Sequence, residues 1–468
     1  MYVAGRNAAD ATRLFASLPT RTYLWGSDLT MAFWKSLLAA KNEPEPVIAF
    51  GRYSDAYKSQ DRFSAFDTSL KQYEEGRFAD SVRSFAEYLR NRAGDNTQVR
   101  EQDGVFYLDF YQGSKQVQCL LNDRVFRAEA KIAHCKTLNV GFLRKAIEYN
   151  YQLNYSRFAL DPDNNLCMLF DSLLSECSPH KLYFGLKELS LQSDKEDDLL
   201  LSEFDQLQIL HNQHIKHPDR VIAQSKIRFV RNKLNEIEAP EVLGTLNPRR
   251  FQGALTYVYL AALYSIDYLV KPEGVVMDII GRVHQRYFGV APDNIDEKIA
   301  VLRDALKELA AVEDSQLDRE LYEVISTFGV TSSVSQDVIA QFIDAEMQSL
   351  KWYAENGHDR VCQAICNYVA AYCLYNFALP GPDHDLMHLY FEVVENKYFR
   401  ELGYKVEYMS RDGHSVDLGR VNQRIAEILR VHRTEHPGLP VNPRLAQVEL
   451  PAFSQELLLF IRNLQLST

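Results

Sequence analysis

The chain has 468 residues, 46% hydrophobic and 25% charged, with a formal net charge of −11 and a pI near 5.6. That length exceeds one ordinary core and predicts two or three domains, and the composition excludes a disordered chain. The acidic balance, with no basic stripe, excludes nucleic acid as the main partner and disfavours anionic membrane surfaces.

In chain order, residues 1–66 read as a helical N-terminal extension. An amphipathic run at 8–18 ends at Pro19, and Ser27 or Asp28 caps a helix to Ala40 with Leu29, Phe33 and Leu37 on one face. Prolines 44 and 46 break it. The aromatic stretch holding Tyr53, Tyr57, Phe63 and Phe66 is irregular and predicts a cover over another element. Tyr73-Glu-Glu-Gly-Arg-Phe-Ala79 is similar to half a tetratricopeptide unit. One unit makes no array, so the reading is a helix over 78–91 with Val82, Phe85, Ala86 and Leu89 facing a sheet.

Strand signals follow. Phe106, Leu108 and Phe110 alternate with polar neighbours, as do Phe126, Ala128, Ala130 and Ile132, and a third run spans 117–121 between them. Short polar breaks predict an antiparallel meander. Asn139 caps a helix to about Leu153 whose apolar set is Val140, Leu143, Ile147 and Tyr151. Strands at 155–160 and 166–170 flank the turn Asp161-Pro-Asp-Asn-Asn165. Ser178-Pro179 then opens a long helix, with the acidic run 194–198 as a solvated face.

The order helix, three strands, helix, two strands, helix, with Phe158-Ala-Leu-Asp-Pro-Asp-Asn-Asn-Leu166 in its second half, resembles class I type III secretion chaperones and related YbjN-like domains. The resemblance covers residues 67–204. It implies an α+β antiparallel-sheet domain that binds an extended segment of a client protein and forms dimers. Residues 205–244 read as a helical connector divided by Pro218, and 245–468 as a mainly α-helical domain. Within the latter, Gln252, Tyr257, Leu263, Tyr264, Val283, Tyr287 and Phe288 match Gln363, Tyr368, Leu374, Tyr375, Val394, Tyr398 and Phe399 at a constant offset of 111 residues, a pattern that a duplicated helical unit produces. A small hairpin near 404–418 and helices at 420–433 and 451–464 close the chain.

Seven cysteines are too few and odd in number for a disulfide framework. Cys362, Cys366 and Cys373 lie along one side of a helix, and Cys119 and Cys167 within strand patterns, as small core residues. Reduced thiols predict a cytoplasmic protein, and the N-terminus shows no signal pattern. The longest apolar run, 253–266, is bounded by Arg249-Arg250 and Asp267 and is shorter than the roughly 20 residues of a membrane span, so it reads as a core helix.

Motifs for chemistry are sparse. His384-Asp-Leu-Met-His388 has the i, i+4 spacing that can set two imidazoles on one metal, with aspartate where a zincin has glutamate. His211, His214 and His217 spread over one side of a polar helix. The turn at 161–165 begins like a calcium loop but lacks the glycine and glutamate that loop needs. No nucleotide-binding glycine loop and no nucleophile elbow occurs, and no cofactor is implied.

The reading is a non-enzymatic protein-binding protein, chaperone-like or adaptor, that docks a partner polypeptide. Phe106, Leu108, Phe110, Val117, Cys119 and Leu121 are its sheet or edge positions. The resemblance to dimeric chaperones puts Leu143 and Ile147 at a contact with a second copy or with the C-terminal domain. The alternative is a metal-assisted hydrolase centred on His384 and His388.

Overall fold

The computed structural model describes residues 45–468 apart from 92–94, 138–139, 211–214, 292–293, 411–412, 414 and 467–468. The helices expected before residue 41, the Asn139 cap, and His211 and His214 lie outside the described residues. Helices α1 (Gln60–Glu74) and α2 (Phe78–Leu89) form an antiparallel pair. Ser69 and Ser81 exchange hydroxyl-to-carbonyl hydrogen bonds of 2.7 and 2.8 Å across it. Val82, Phe85, Ala86 and Leu89 are all buried, as their spacing predicts.

Strands β1 (Thr97–Gln102), β2 (Val105–Gln112), β3 (Lys115–Leu121) and β4 (Val125–Cys135) follow as a meander. Strand periodicity misses β1, because among its residues only Thr97 is buried. Its hairpin with β2 turns on Asp103 and Gly104, both at positive φ (53° and 77°), the backbone a two-residue turn requires. Helix α3 (Val140–Gln152), β5 (Arg157–Leu160), β6 (Asn165–Leu173) and α4 (Pro179–Glu203) complete an α+β domain. The sheet order is β1-β2-β3-β4-β6-β5, antiparallel throughout, with β7 (Leu207–Ile209) paired to β4.

Register sets one apolar face. Leu108 lies opposite Cys119, Cys119 opposite Ala128, and Ala128 opposite Phe170. That face shares a buried cluster with Val82 and Phe85 of α2 and with Leu182, Leu186 and Leu189 of α4. The opposite face carries Arg127, Lys131 and Asp171 in solvent, the alternation expected of a sheet packed on one side. Helix α4 opens as expected, with the Ser178 hydroxyl accepting the Lys181 N–H at 3.2 Å. Its acidic run is not simply a solvated face, because Glu196 is buried and Asp194 accepts the Ser114 N–H at 2.6 Å.

The second body is helical: α5 (Arg220–Glu238), α6 (Gln252–Val270), α7 (Gly274–Gly289), α8 (Ile295–Ala311) and α9 (Asp314–Arg319). After strand β8 (Ser332–Ser333) come α10 (Gln336–Glu355) and α11 (Asp359–Asn376), then β9 (Phe377–Ala378), which pairs with β8 in parallel. Helices α12 (Gly381–Val394), α13 (Asn396–Glu401), α14 (Leu418–His432) and α15 (Leu450–Arg462) complete it. The stretch read as a connector divides between the bodies. Strand β7 joins the sheet, while Phe229, Val230, Leu234 and Ile237 of α5 enter the helical core. His217 sits in extended chain before α5, so it does not extend a histidine-bearing helix face.

Helix α6 runs past Asp267 to Val270, longer than its apolar run suggests, because Arg52 neutralises that carboxylate (Nε to Oδ1, 3.0 Å). It is long and apolar enough by length and composition to cross a membrane, and here 83% of its apolar window is buried among its neighbours. Residues matched at the 111-residue offset meet across α6 and α11. Tyr257 contacts Tyr368 edge-on at 5.3 Å between ring centroids, and Tyr264 stacks on Tyr375 at 4.6 Å. Leu260, Tyr264 and Tyr368 are buried, while Tyr257 and Tyr375 are half-buried. In the hairpin expected near 404–418, Met409 and Val416 form an antiparallel bridge among the described residues.

Extended residues 45–59 lie across both bodies. Phe50 packs against His388 and Phe399 in the helical core, and the Tyr183 hydroxyl of α4 donates to Asp55 at 3.0 Å. Of the aromatic stretch expected to be irregular, Phe63 and Phe66 lie instead in helix α1, and the Tyr57 hydroxyl donates to the Ala378 carbonyl at 3.2 Å.

Candidate functional site

Phe106, Leu108, Phe110, Val117, Cys119 and Leu121 are all buried. They form the inner face beneath α2 and α4, and β1 covers the edge of β2. An accessible apolar sheet face at these positions is therefore corrected: the flanking helices have already taken it. The true edges are β1 and β5, and both are guarded. On β1, Glu101 pairs with Arg83 (2.7 Å) and Arg100 lies over the Tyr107 ring. On β5, the Asn150 side chain accepts the Phe158 N–H (2.6 Å) and donates to the Phe158 carbonyl (3.3 Å), taking the place of a further strand.

The expected contact pair on helix α3 is split: Leu143 packs on the sheet core, which corrects its place at an outer contact, while Ile147 is exposed. Phe142 is buried, with Leu143, Ala146 and Tyr149 packed on the sheet core. Val140, Ile147 and Tyr151 are left 82%, 69% and 93% exposed. The helix has two apolar stripes. Phe142, Ala146 and Tyr149 at i, i+4, i+7 win the core because Phe142 meets Phe204 (5.7 Å) and Tyr149 meets Phe158 (5.6 Å). The stripe Val140, Ile147, Tyr151 is heptad-spaced and outward, flanked by the exposed pair Arg144 and Glu148, 2.9 Å apart.

A second constellation lies on α12. Its apolar surroundings bury Asp385, His388 and Glu392, while His384 is half-buried. His432 of α14 approaches Asp385 Oδ2 to 2.8 Å and His384 approaches Oδ1 to 3.2 Å. Burial alone would raise the Asp385 carboxyl, but those two imidazoles hold it well below the usual carboxylate range. His388 Nδ1 lies 2.8 Å from the Tyr268 hydroxyl, and its Nε2 is 3.8 Å from Glu392. Phe50 and Phe399 close over its ring, at 5.0 and 5.5 Å.

A hydrolytic metal needs an open coordination position and three protein ligands. His384 and His388 are instead committed to different partners, Asp385 and Tyr268, in a packed interior. Among the described residues, the group of possible ligand atoms within 4.8 Å of one another is Glu129, Asp161 and Cys167, on the outer side of the sheet. Burial pushes its Cys167 thiol up to about 12, and Lys131 already sits 2.9 Å from Asp161. That donor set suits a hydrogen-bonded turn better than a cation.

Sequence reasoning missed several residues of these clusters. Glu392 continues the i, i+4 spacing of His384 and His388 and was legible in principle. His432 and Arg52 reach their partners across the fold, and no local signal announces them. A groove of about 650 Å³ between the start of α5 and α9, lined by Arg220, Arg228, Asp314 and Asp318 among others, likewise joins distant stretches. No protein-family model matches the chain, and no curated protein sequence matches it.

Proposed function

We propose that this chain is a non-enzymatic protein-binding protein whose α+β domain docks a partner polypeptide. The outer stripe of α3 carries the reading. Val140, Ile147 and Tyr151 lie in solvent on one heptad-spaced line, large apolar side chains of the kind that an interaction surface covers. The occupant we assign is a second copy of this chain. Arg144 and Glu148 flank Ile147, so two antiparallel copies of α3 about a two-fold axis set each arginine opposite the other's glutamate. A single helix pair is a small interface, so association in the micromolar range is expected.

Sedimentation of the wild type and of Ile147→Asp, with folding checked by circular dichroism, tests this. The wild type should dimerise with rising concentration and the variant should remain a monomer. A wild type that stays monomeric up to roughly 100 μM would sink the assignment.

A further inference from the structure

The α+β domain already holds one peptide, extended at first and bent at Thr327 and Phe328, and that peptide belongs to its own chain. Residues 323–329, Glu-Val-Ile-Ser-Thr-Phe-Gly, leave the helical body and run along the end of the sheet. Ile325 bridges to Gly113. Gln112 Oε1 accepts the backbone N–H groups of both Thr327 (3.1 Å) and Phe328 (2.9 Å). The Thr327 hydroxyl donates to the Tyr111 carbonyl at 2.7 Å and accepts from Asn96 at 2.9 Å. The Phe328 ring enters the sheet-domain core edge-on to Phe110 and Tyr183, at 5.9 and 5.6 Å between centroids. Asp55 accepts the Gly329 N–H at 3.0 Å, and a Cβ on Gly329 would lie 2.8 Å from the Asp55 backbone nitrogen, so glycine alone fits.

Side chains that satisfy successive main-chain N–H groups, a hydroxyl read from two sides, a pocket for one aromatic ring and a glycine-only position together make a peptide-recognition site. We propose that residues 323–329 fill this site in cis, and that it takes from a partner protein a segment with a hydroxyl residue, an aromatic residue and glycine in succession, bent at the first two. The covalent connection gives the internal segment a high effective concentration, so a partner segment gains the site once the internal one is weakened. This deepens the protein-binding reading by naming a ligand class, and it does not depend on the α3 contact.

The experiment uses the full chain and a fluorescent peptide of residues 323–329, followed by anisotropy. Phe328→Ala should bind the peptide at least about tenfold more tightly than the wild type. A probe with alanine in place of its phenylalanine should not bind, and adding Gln112→Leu to Phe328→Ala should abolish capture. Gly329→Ala provides a second route, since its Cβ meets the Asp55 and Ser54 backbone and weakens the seat of the segment while the Phe328 side chain is kept. A folded Phe328→Ala or Gly329→Ala protein that binds the probe no better than the wild type overturns the proposal. So does loss of folding in both variants, which would make the segment an integral part of the core. If the α3 assignment alone is wrong, the mass in solution stays monomeric while peptide capture persists.

Discussion

Asp383 is buried at the first turn of α12. Burial pushes its carboxyl up to about 7, with Gln336 drawing it the other way. In the unfolded chain the same group titrates near 4. The fold therefore favours its neutral form, and the associated stability is fully present below about pH 4 and lost as pH rises through 7. Asp383→Asn has no such group to ionise. Relative to the wild type it should gain on the order of 3 kcal/mol between pH 4 and pH 8, read from urea unfolding at each pH. A difference that is flat with pH would show that the carboxyl does not titrate in that window. The aspartate is plain in the sequence; its environment is made by α10 and residues 45–59, which no local pattern places beside it.

Elements were legible where one face is buried and one is wet. The runs that became β2 and β4, and the 3–4 spacing of α2, carry their burial in the alternation itself. Strand β1 escaped because an edge strand buries almost nothing, although Asp103-Gly104 is a hairpin signal. Helix α3 is legible as a helix, but its apolar set mixes Leu143, which packs inward, with Val140, Ile147 and Tyr151, which do not, since two stripes of similar hydrophobicity cannot be ranked without their neighbours. Residues 45–59 have no periodicity, yet they supply Arg52 to Asp267. Burial would lower the Arg52 pKa, but Asp267 and Glu273 more than offset it and hold the guanidinium charged. Arg52→Ala leaves a buried carboxylate unpaired and should cost about 3–5 kcal/mol, while Arg52→Met with Asp267→Leu should cost much less. Equal losses in the two proteins by chemical denaturation would mean that the pair is not coupled.

At the scale of the whole molecule, charge is the dominant statement. A net charge of −11 repels phosphate, and carboxylates already engage surface basic groups such as Arg282, which pairs with Asp278 and Glu308. The protein should pass through DNA and RNA columns at physiological salt, and salt-sensitive retention in the micromolar range would contradict that expectation.

The sequence by itself determined the class of the fold, an antiparallel α+β body followed by a helical one, because periodicity reports directly which faces leave water. It also determined the absence of familiar nucleotide or nucleophile motifs. Only the tertiary structure decided which apolar faces remain open. Phe106 to Leu121 and the outer stripe of α3 look equally apolar in sequence, yet the first is covered and the second is not. The same holds for the docking of Phe328 beside Phe110, which joins residues more than two hundred positions apart. Burial is a property of both partners in a contact, and one stretch of chain specifies only its own half.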